Sequence, residues 1–264
     1  GTVIIIQRNA KDDRDKSSES FGAILPEQAE KTEQGAKKFF DAIFSELGPE
    51  ETKKLDVMVL AGDTTLTMET GQRSEHKRAV ETAQKVIDGA LASFEENGVD
   101  RSQFLNAQEE GTIAKPFEVS ELIDLRMMEE SPEFVQYLVD KYGTGKDFWV
   151  AYEADLEKAT REEMGVEGPN DIAERIKHFI GILAQTAKEH HTSNPDRRLI
   201  IWANSHYDSI SPYVKAHVAK LESNEFLNTY CPVDHLAGIT ITIDKDGNAT
   251  TKLGDEIVEL NLSE

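Results

Sequence analysis

Residues 2–13 read TVIIIQRNAKDD. Val3, Ile4, Ile5 and Ile6 are apolar and β-branched on both faces, the pattern of a strand enclosed by helices rather than one with a wet face. The run stops at Gln7-Arg8-Asn9, so a buried strand ends in a cation and an amide. In an open α/β sheet, ligands bind at the carboxyl ends of the strands. This first stretch therefore predicts both the fold class and the place to look for chemistry.

The same form returns late in the chain. Residues 197–209, RRLIIWANSHYDS, hold an apolar strand from Leu199 to Ala203 followed by the polar tip Asn204-Ser205-His206. Between the two lies Asp56–Ala61, a third apolar run. It leads into a Thr-rich loop, Gly62 to Arg73, longer than the usual connection of about 2–6 residues. A helix is expected from Ser74 to about Phe94, carrying Arg78, Thr82 and Ala83. Another opens at Thr32, with Phe39, Phe40, Ile43, Phe44 and Leu47 on one face, and closes at Gly48-Pro49. Asp171 is placed to N-cap a long helix with Ile172, Ile176, Phe179, Ile180 and Leu183 on one face, and Ser211 to Leu221 reads as a further helix. Residues 236–253, LAGITITIDKDGNATTKL, alternate with period two about Asp246-Gly247, a hairpin signal. Strand–helix alternation predicts a three-layer α/β/α fold with a mostly parallel, doubly wound sheet, as one domain over residues 1–264. Residues 100–170 break the alternation. Phe104 to Ala107 reads as a short strand, and 119–142 and 147–164 as helices, so the block is expected to form a helical cap inserted in the domain.

Composition restricts the partners. Lys and Arg number 29 against 50 Asp and Glu, a formal charge of −21. A field of that sign repels nucleic acid and anionic membrane, whereas a small anion can still be held by a local group of arginines. One cysteine, Cys231, precludes an internal disulfide and suits a reducing compartment. No apolar run approaches the roughly 20 residues of a membrane span. The start of the chain has no signal-peptide pattern, and Gly1 in place of Met reads as a cleavage scar. The expectation is a soluble, acidic, cytoplasmic protein of open oligomeric state.

Three strand ends carry Arg8-Asn9, the loop toward Ser74 and Arg78, and Asn204-Ser205-His206. Arginine forks match the oxygens of a tetrahedral anion, and a histidine can donate to such a group and shuttle a proton. With these residues in view, the sequence resembles the histidine phosphatase superfamily, the phosphoglycerate-mutase-like proteins. IIIQRNAK looks like that family's opening strand and Arg-His-Gly signature, and KTEQGAKKF like the helix start that follows. RSEHKRAVETAQ is similar to the stretch carrying the second phosphate arginine, and LIIWANSHYDSI to the strand ending in the second histidine; the closing hairpin also fits.

Carried over, the resemblance implies that Arg8, Arg78 and His206 bind a phosphoryl group and that Asn9 stands where the family has its nucleophilic histidine. The implied chemistry is phosphomonoester hydrolysis through a phosphohistidine, with neither metal nor cofactor. An asparagine amide nitrogen is delocalised into its carbonyl and cannot attack phosphorus. Losing such a nucleophile costs on the order of 10⁴–10⁶ in turnover. The chain is thus expected to bind a small phosphorylated substrate or inorganic phosphate and barely turn it over. Natural loss and an engineered substitution both account for Asn9. Glu121 is the favoured general acid, with Glu118, Asp124 and Asp208 as alternatives. A catalytically inactive phosphate-ester-binding pseudoenzyme is the competing reading. A phosphoglycerate-mutase-type transferase ranks lower, because RNAKDDRDKS departs from the mutase signature.

Each pick also has a structural reading. Arg8 and Arg78 could be salt-bridge anchors, His206 a satisfied strand-end residue, and Asn9 a turn residue. Their shared placement at strand ends argues against all four at once. His190 and His191 read as a solvated helix end, and Asp244–Gly247 as a hairpin turn rather than a calcium loop. His235 near Cys231 reads as structural rather than zinc-binding, and residues 62–71 lack the Gly-Lys-Ser/Thr of a P-loop.

Overall fold

A computed structural model describes residues 1–107, 111, 113–120, 126–221 and 234–262. Seven strands form one sheet in the order β3-β2-β4-β1-β5-β6-β7: β1 (Thr2–Arg8), β2 (Leu55–Gly62), β3 (Phe117–Val119), β4 (Arg198–Ser205), β5 (Gly238–Ile243), β6 (Ala249–Leu253) and β7 (Glu256–Leu260). β3, β2, β4 and β1 are parallel, and the antiparallel meander β5-β6-β7 extends the sheet past β1. The two strands read from the sequence as one form, β1 and β4, are neighbours at its centre. Their register sets Arg8 opposite Ser205.

The two faces of β1 go to two cores. Ile4 and Ile6 pack with Ile172, Ile176, Phe179 and Ile180 of α7 (Pro169–Ser193). Val3 and Ile5 lie on the other side, against a cluster of Phe40, Phe44, Val86, Ile87 and Phe94 from α1 (Pro26–Thr52) and α2 (Arg78–Glu96). This is the three-layer arrangement expected of apolar strands with helices on both sides. α1 begins earlier than Thr32 because Pro26 is preset for the first turn. It does not close at Gly48-Pro49 as expected: it bends at Gly48, whose φ is 73°, and continues to Thr52.

Two expectations about the loops are corrected. α2 starts at Arg78, not Ser74, because the Ser74 hydroxyl donates to the Phe21 carbonyl at 2.7 Å and accepts from the His76 N–H at 2.9 Å. Its hydroxyl ties the two loops together, and the helix waits four residues. Residues 105–107 form a 3₁₀ turn, not a strand. The Asn106 amide instead accepts from the Val59 N–H and donates to the Val59 carbonyl, both at 2.8 Å, satisfying the edge of β2 where no strand pairs with it.

The 100–170 block contributes β3 to the sheet edge, then α3 (Met127–Glu130), α4 (Pro132–Tyr142), α5 (Lys146–Glu153) and α6 (Lys158–Glu163). Phe134, Leu138 and Phe148 of these helices join the same core as α7. Glu157 fastens the cap. It accepts from the Tyr137 hydroxyl at 2.7 Å, from Lys141 Nζ at 2.5 Å and from the Tyr142 hydroxyl. Lys141, Tyr142 and Tyr137 hold the Glu157 carboxyl down to about 2. A depressed carboxylate contributes stability above its unfolded value near 4.5 and loses it as pH falls toward 2. The protection of α4 amides, measured against their intrinsic exchange at each pH, is therefore expected to fall between those values. The Glu157→Gln variant should lack this extra step, and identical exchange profiles would refute the assignment.

At the far end of α7 the histidines are not simply solvated. Asp56 takes His190 Nε2 at 2.7 Å and Arg197 Nε at 2.6 Å, and His191 Nε2 lies 2.9 Å from Thr2 Oγ1. Among the described residues, no helix is long and apolar enough to cross a membrane.

Candidate anion-binding site

Backbone hydrogen bonds bring the site together. The Asn9 N–H donates to the Ser205 carbonyl at 2.9 Å, and the Arg8 N–H to the Ala237 carbonyl at 2.7 Å. The ends of β1 and β4 and the approach to β5 thus meet at one point. Beyond it, the Ala10 N–H donates to Thr82 Oγ1 at 3.0 Å, whose hydroxyl donates to the Arg78 carbonyl at 2.7 Å. The chain leaving β1 is docked on the first turn of α2, which sets Arg78 beside Asn9.

A cavity of about 250 Å³ opens here, lined among others by Arg8, Asn9, Arg14, Arg78, Glu153, Tyr207 and Asp208. It lies just below the roughly 300–1,000 Å³ of ordinary ligand pockets and suits a compact ligand. Asp12, its side chain 1% exposed, lies 2.8 Å from Arg14 Nε and 3.5 Å from Arg78 Nη1. This buried carboxylate orients two guanidinium groups and partly offsets their charge. Burial pushes Arg8 below the usual arginine value; Asp208 and Tyr207 oppose this, while Arg78 and Arg14 add to it. The site thus sets three guanidinium groups, Arg8, Arg14 and Arg78, among the carboxylates of Asp12, Glu69, Glu153 and Asp208.

The Arg8 guanidinium sits over the Tyr207 ring, 5.3 Å from its centroid, a cation–π contact. The Tyr207 hydroxyl donates to Glu153 Oε2 at 3.5 Å. Burial, then Glu153 and Asp208, drive Tyr207 above its ordinary value, so it stays a neutral donor. Asn9 is buried, and its Nδ2 donates to the Ala10 carbonyl at 2.8 Å.

The structure therefore brings Arg8, Asn9, Arg78 and Asp208 into one cavity. His206 lies directly after Ser205 at the start of α8 (Tyr207–Tyr213), 1% exposed; its neighbours Tyr207 and Asp208, rather than its own ring, line the wall. Glu118 on β3 is exposed, in an ion pair with Lys77 at 2.9 Å, and does not line the cavity. Glu121 and Asp124 lie outside the described residues, as does Cys231. Sequence reading missed Asp12, Arg14, Glu153 and Tyr207. For Asp12 and Arg14 a signal was present, since RNAKDDR repeats charge directly after the strand end. Glu153 comes from the cap, and nothing local marks it.

The chain is similar to a phosphoglycerate mutase from Bacillus anthracis str. Sterne, with a TM-score of 0.50 and 13% sequence identity over 95% of this chain and 91% of that one. The fold is phosphoglycerate-mutase-like. At that identity the likeness concerns the fold alone. A mycobacterial glucosyl-3-phosphoglycerate phosphatase also matches, with a TM-score of 0.44 and 12% identity over 92% of this chain and 90% of that one. No protein-family model and no curated protein matches the chain. In this phosphoglycerate-mutase-like fold the cavity sits at the carboxyl ends of the parallel strands β1 and β4, where ligands of open α/β sheets are expected.

Proposed function

We propose that the cavity binds the phosphoryl group of a small phosphomonoester, in a chain of histidine-phosphatase lineage whose phosphoryl-accepting position is Asn9. The observation that carries this reading is the convergence of Arg8, Arg14 and Arg78 on the cavity that contains Asn9. Arginine forks favour tetrahedral oxyanions, and the first turn of α2, where Arg78 sits, adds the positive end of a helix dipole. A net charge of −21 makes so local a group of cations the more telling.

In the lineage reaction a histidine nitrogen attacks phosphorus, the ester P–O bond breaks, and a carboxylic acid protonates the departing oxygen. Water then hydrolyses the N–P bond. Asp208, Glu153 and Glu69 line the cavity and are the carboxyl groups placed to give the proton. His206, buried and outside the cavity lining, sets the start of α8 from which Tyr207 and Asp208 reach the wall. Asn9 offers only an amide, whose nitrogen already donates to Ala10. The first step has no nucleophile at position 9, and the chain acts as a phosphate-ester binder with little turnover. Nothing in this chemistry calls on a cofactor, and the partner is a small phosphorylated molecule in a reducing, aqueous compartment.

The test is titration of inorganic phosphate into the parent chain and into Arg78→Ala. The parent is expected to bind. The variant should weaken binding by roughly 10- to 100-fold, the worth of a charge-assisted, partly buried contact. Asp12 keeps Arg14 at 2.8 Å in that variant, so the loop retains its anchor. Equal affinity in both chains, or no binding by the parent, would overturn the reading.

A further inference from the structure

We propose that His235 is a further ligand of this anion site, its ring donating a hydrogen bond to the bound oxyanion from the segment that leads into β5. The inference rests on the anion-site reading above and deepens it. β5 pairs antiparallel with β1 from Thr2↔Ile243 to Gln7↔Gly238. The pairing continues beyond the ladder: the Arg8 N–H reaches the Ala237 carbonyl at 2.7 Å, and the Leu236 N–H the Arg8 carbonyl at 3.2 Å. Gln7 Nε2 clamps the Leu236 carbonyl at 2.8 Å. His235 is the next residue, and so is held beside the end of β1, where Arg8 and Asn9 lie.

Leu236 has φ of +63°, an uncommon conformation for a residue with a branched side chain. It turns the chain out of line with β5 just where His235 is attached. Backbone conformations of this kind persist where the surroundings enforce them, and they concentrate at ligand sites. The charged groups acting on the half-buried His235 ring are Arg8 from β1, Asp12 and Arg14 from the loop after it, and Arg78 from α2. Three of them, Arg8, Arg14 and Arg78, line the cavity, and Asp12 pairs with Arg14 and Arg78.

Burial first, then Arg8, Arg78 and Arg14, with Asp12 opposing, hold the ring down to about 4. Without a ligand His235 is therefore neutral above that pH. A dianion in the cavity offsets the arginine contribution while burial still acts, so the His235 midpoint rises and the ring gains a share of a proton as the anion binds. Binding should accordingly strengthen as pH falls from about 6.5 toward 4.

Sulfate is the suitable probe, because it stays a dianion across this range whereas phosphate titrates itself. Calorimetry at about pH 5.5 in buffers of different ionisation heat reads proton uptake, and histidine-ring nitrogen spectra read the midpoint of His235. The parent is expected to bind sulfate with proton uptake, and the His235 midpoint should move up from about 4. His235→Ala should weaken sulfate binding by roughly tenfold and lose that uptake. His235→Gln, which keeps a neutral donor and near-native shape, should recover part of the affinity without the uptake. A parent that fails to bind sulfate overturns both readings. A parent that binds while His235→Ala matches it in affinity and uptake overturns the role of His235 alone.

Discussion

Asn9→His is expected to raise hydrolysis of an aryl phosphate at least about 10³-fold over the parent chain, the scale on which loss or recovery of a nucleophile acts. The geometry at position 9 favours a working imidazole. Asn9 Nδ2 donates to the Ala10 carbonyl at 2.8 Å. A histidine Nδ1–H stands at the same distance along the side chain and inherits that bond, which fixes the tautomer and leaves Nε2 with its lone pair toward the cavity. An aryl leaving group departs with little protonation, so the assay is insensitive to which of Asp208, Glu153 and Glu69 is the acid. Release of the phenol in steady state, with a phosphorylated intermediate trapped on residue 9 by acid quench, is the measurement. The double variant carrying Arg78→Ala should lose most of the gain. A folded Asn9→His chain that binds phosphate but turns over no faster than the parent would remove the lineage from the proposal and leave only the binding site.

Gly238→Ala is expected to cost more than about 4 kcal/mol, the range reserved for severe backbone or core conflicts. A Cβ at Gly238 would stand 1.9 Å from the Ile6 carbonyl oxygen and 2.8 Å from Gln7 Cα. Both are backbone atoms of the central strand, and neither can swing aside as a side-chain tip would. The clash falls on the last pair of the β1–β5 ladder, next to the hydrogen bonds that hold Arg8. For a chain of this size the loss corresponds to a fall in Tm of at least about 8 °C. Gly35→Ala is the companion, since that glycine lies in α1 with nothing near its would-be Cβ. It should leave Tm unchanged or raise it, by up to roughly 1 kcal/mol of helix propensity. Thermal unfolding followed by circular dichroism compares the two, and equal Tm values would contradict the close approach of β5 to β1.

Much of the fold was legible because burial on both faces writes itself into β1, β2 and β4 as uninterrupted apolar runs. The helices α1, α2 and α7 show the 3.6-residue period for a related reason, each burying one stripe against the sheet. β3 and β7 escaped because they are short edge strands; Phe117, Glu118, Glu256 and Ile257 are exposed and carry no alternation. In the site, Arg8, Asn9 and the Asn204–His206 tip could be read as ends of buried strands. The charge repeat in RNAKDDR marks Arg14 without giving its direction, because it is aimed by Asp12, and Asp12 is buried only once the loop docks on Thr82 and Glu81. Glu153 and Tyr207 meet only when the cap closes over the sheet, a contact between residues far apart in sequence. His235 reads as a loop residue beside a cysteine until the β1–β5 register places it at the arginines.

The central position of β1 also orders events during synthesis. Its carboxyl end is completed on one side by β4 and on the other by the approach to β5, so Arg8 waits for Ser205 and then for Ala237. In a nascent chain Arg8 emerges well before its strand neighbours, and β1 has both of them only once β5, ending at Ile243, has followed. During most of translation, the β5 side of Arg8 has no strand to close it. A chain terminated before β5 would leave β1 with one strand neighbour, β4, instead of two, and the Arg8 N–H without the Ala237 carbonyl.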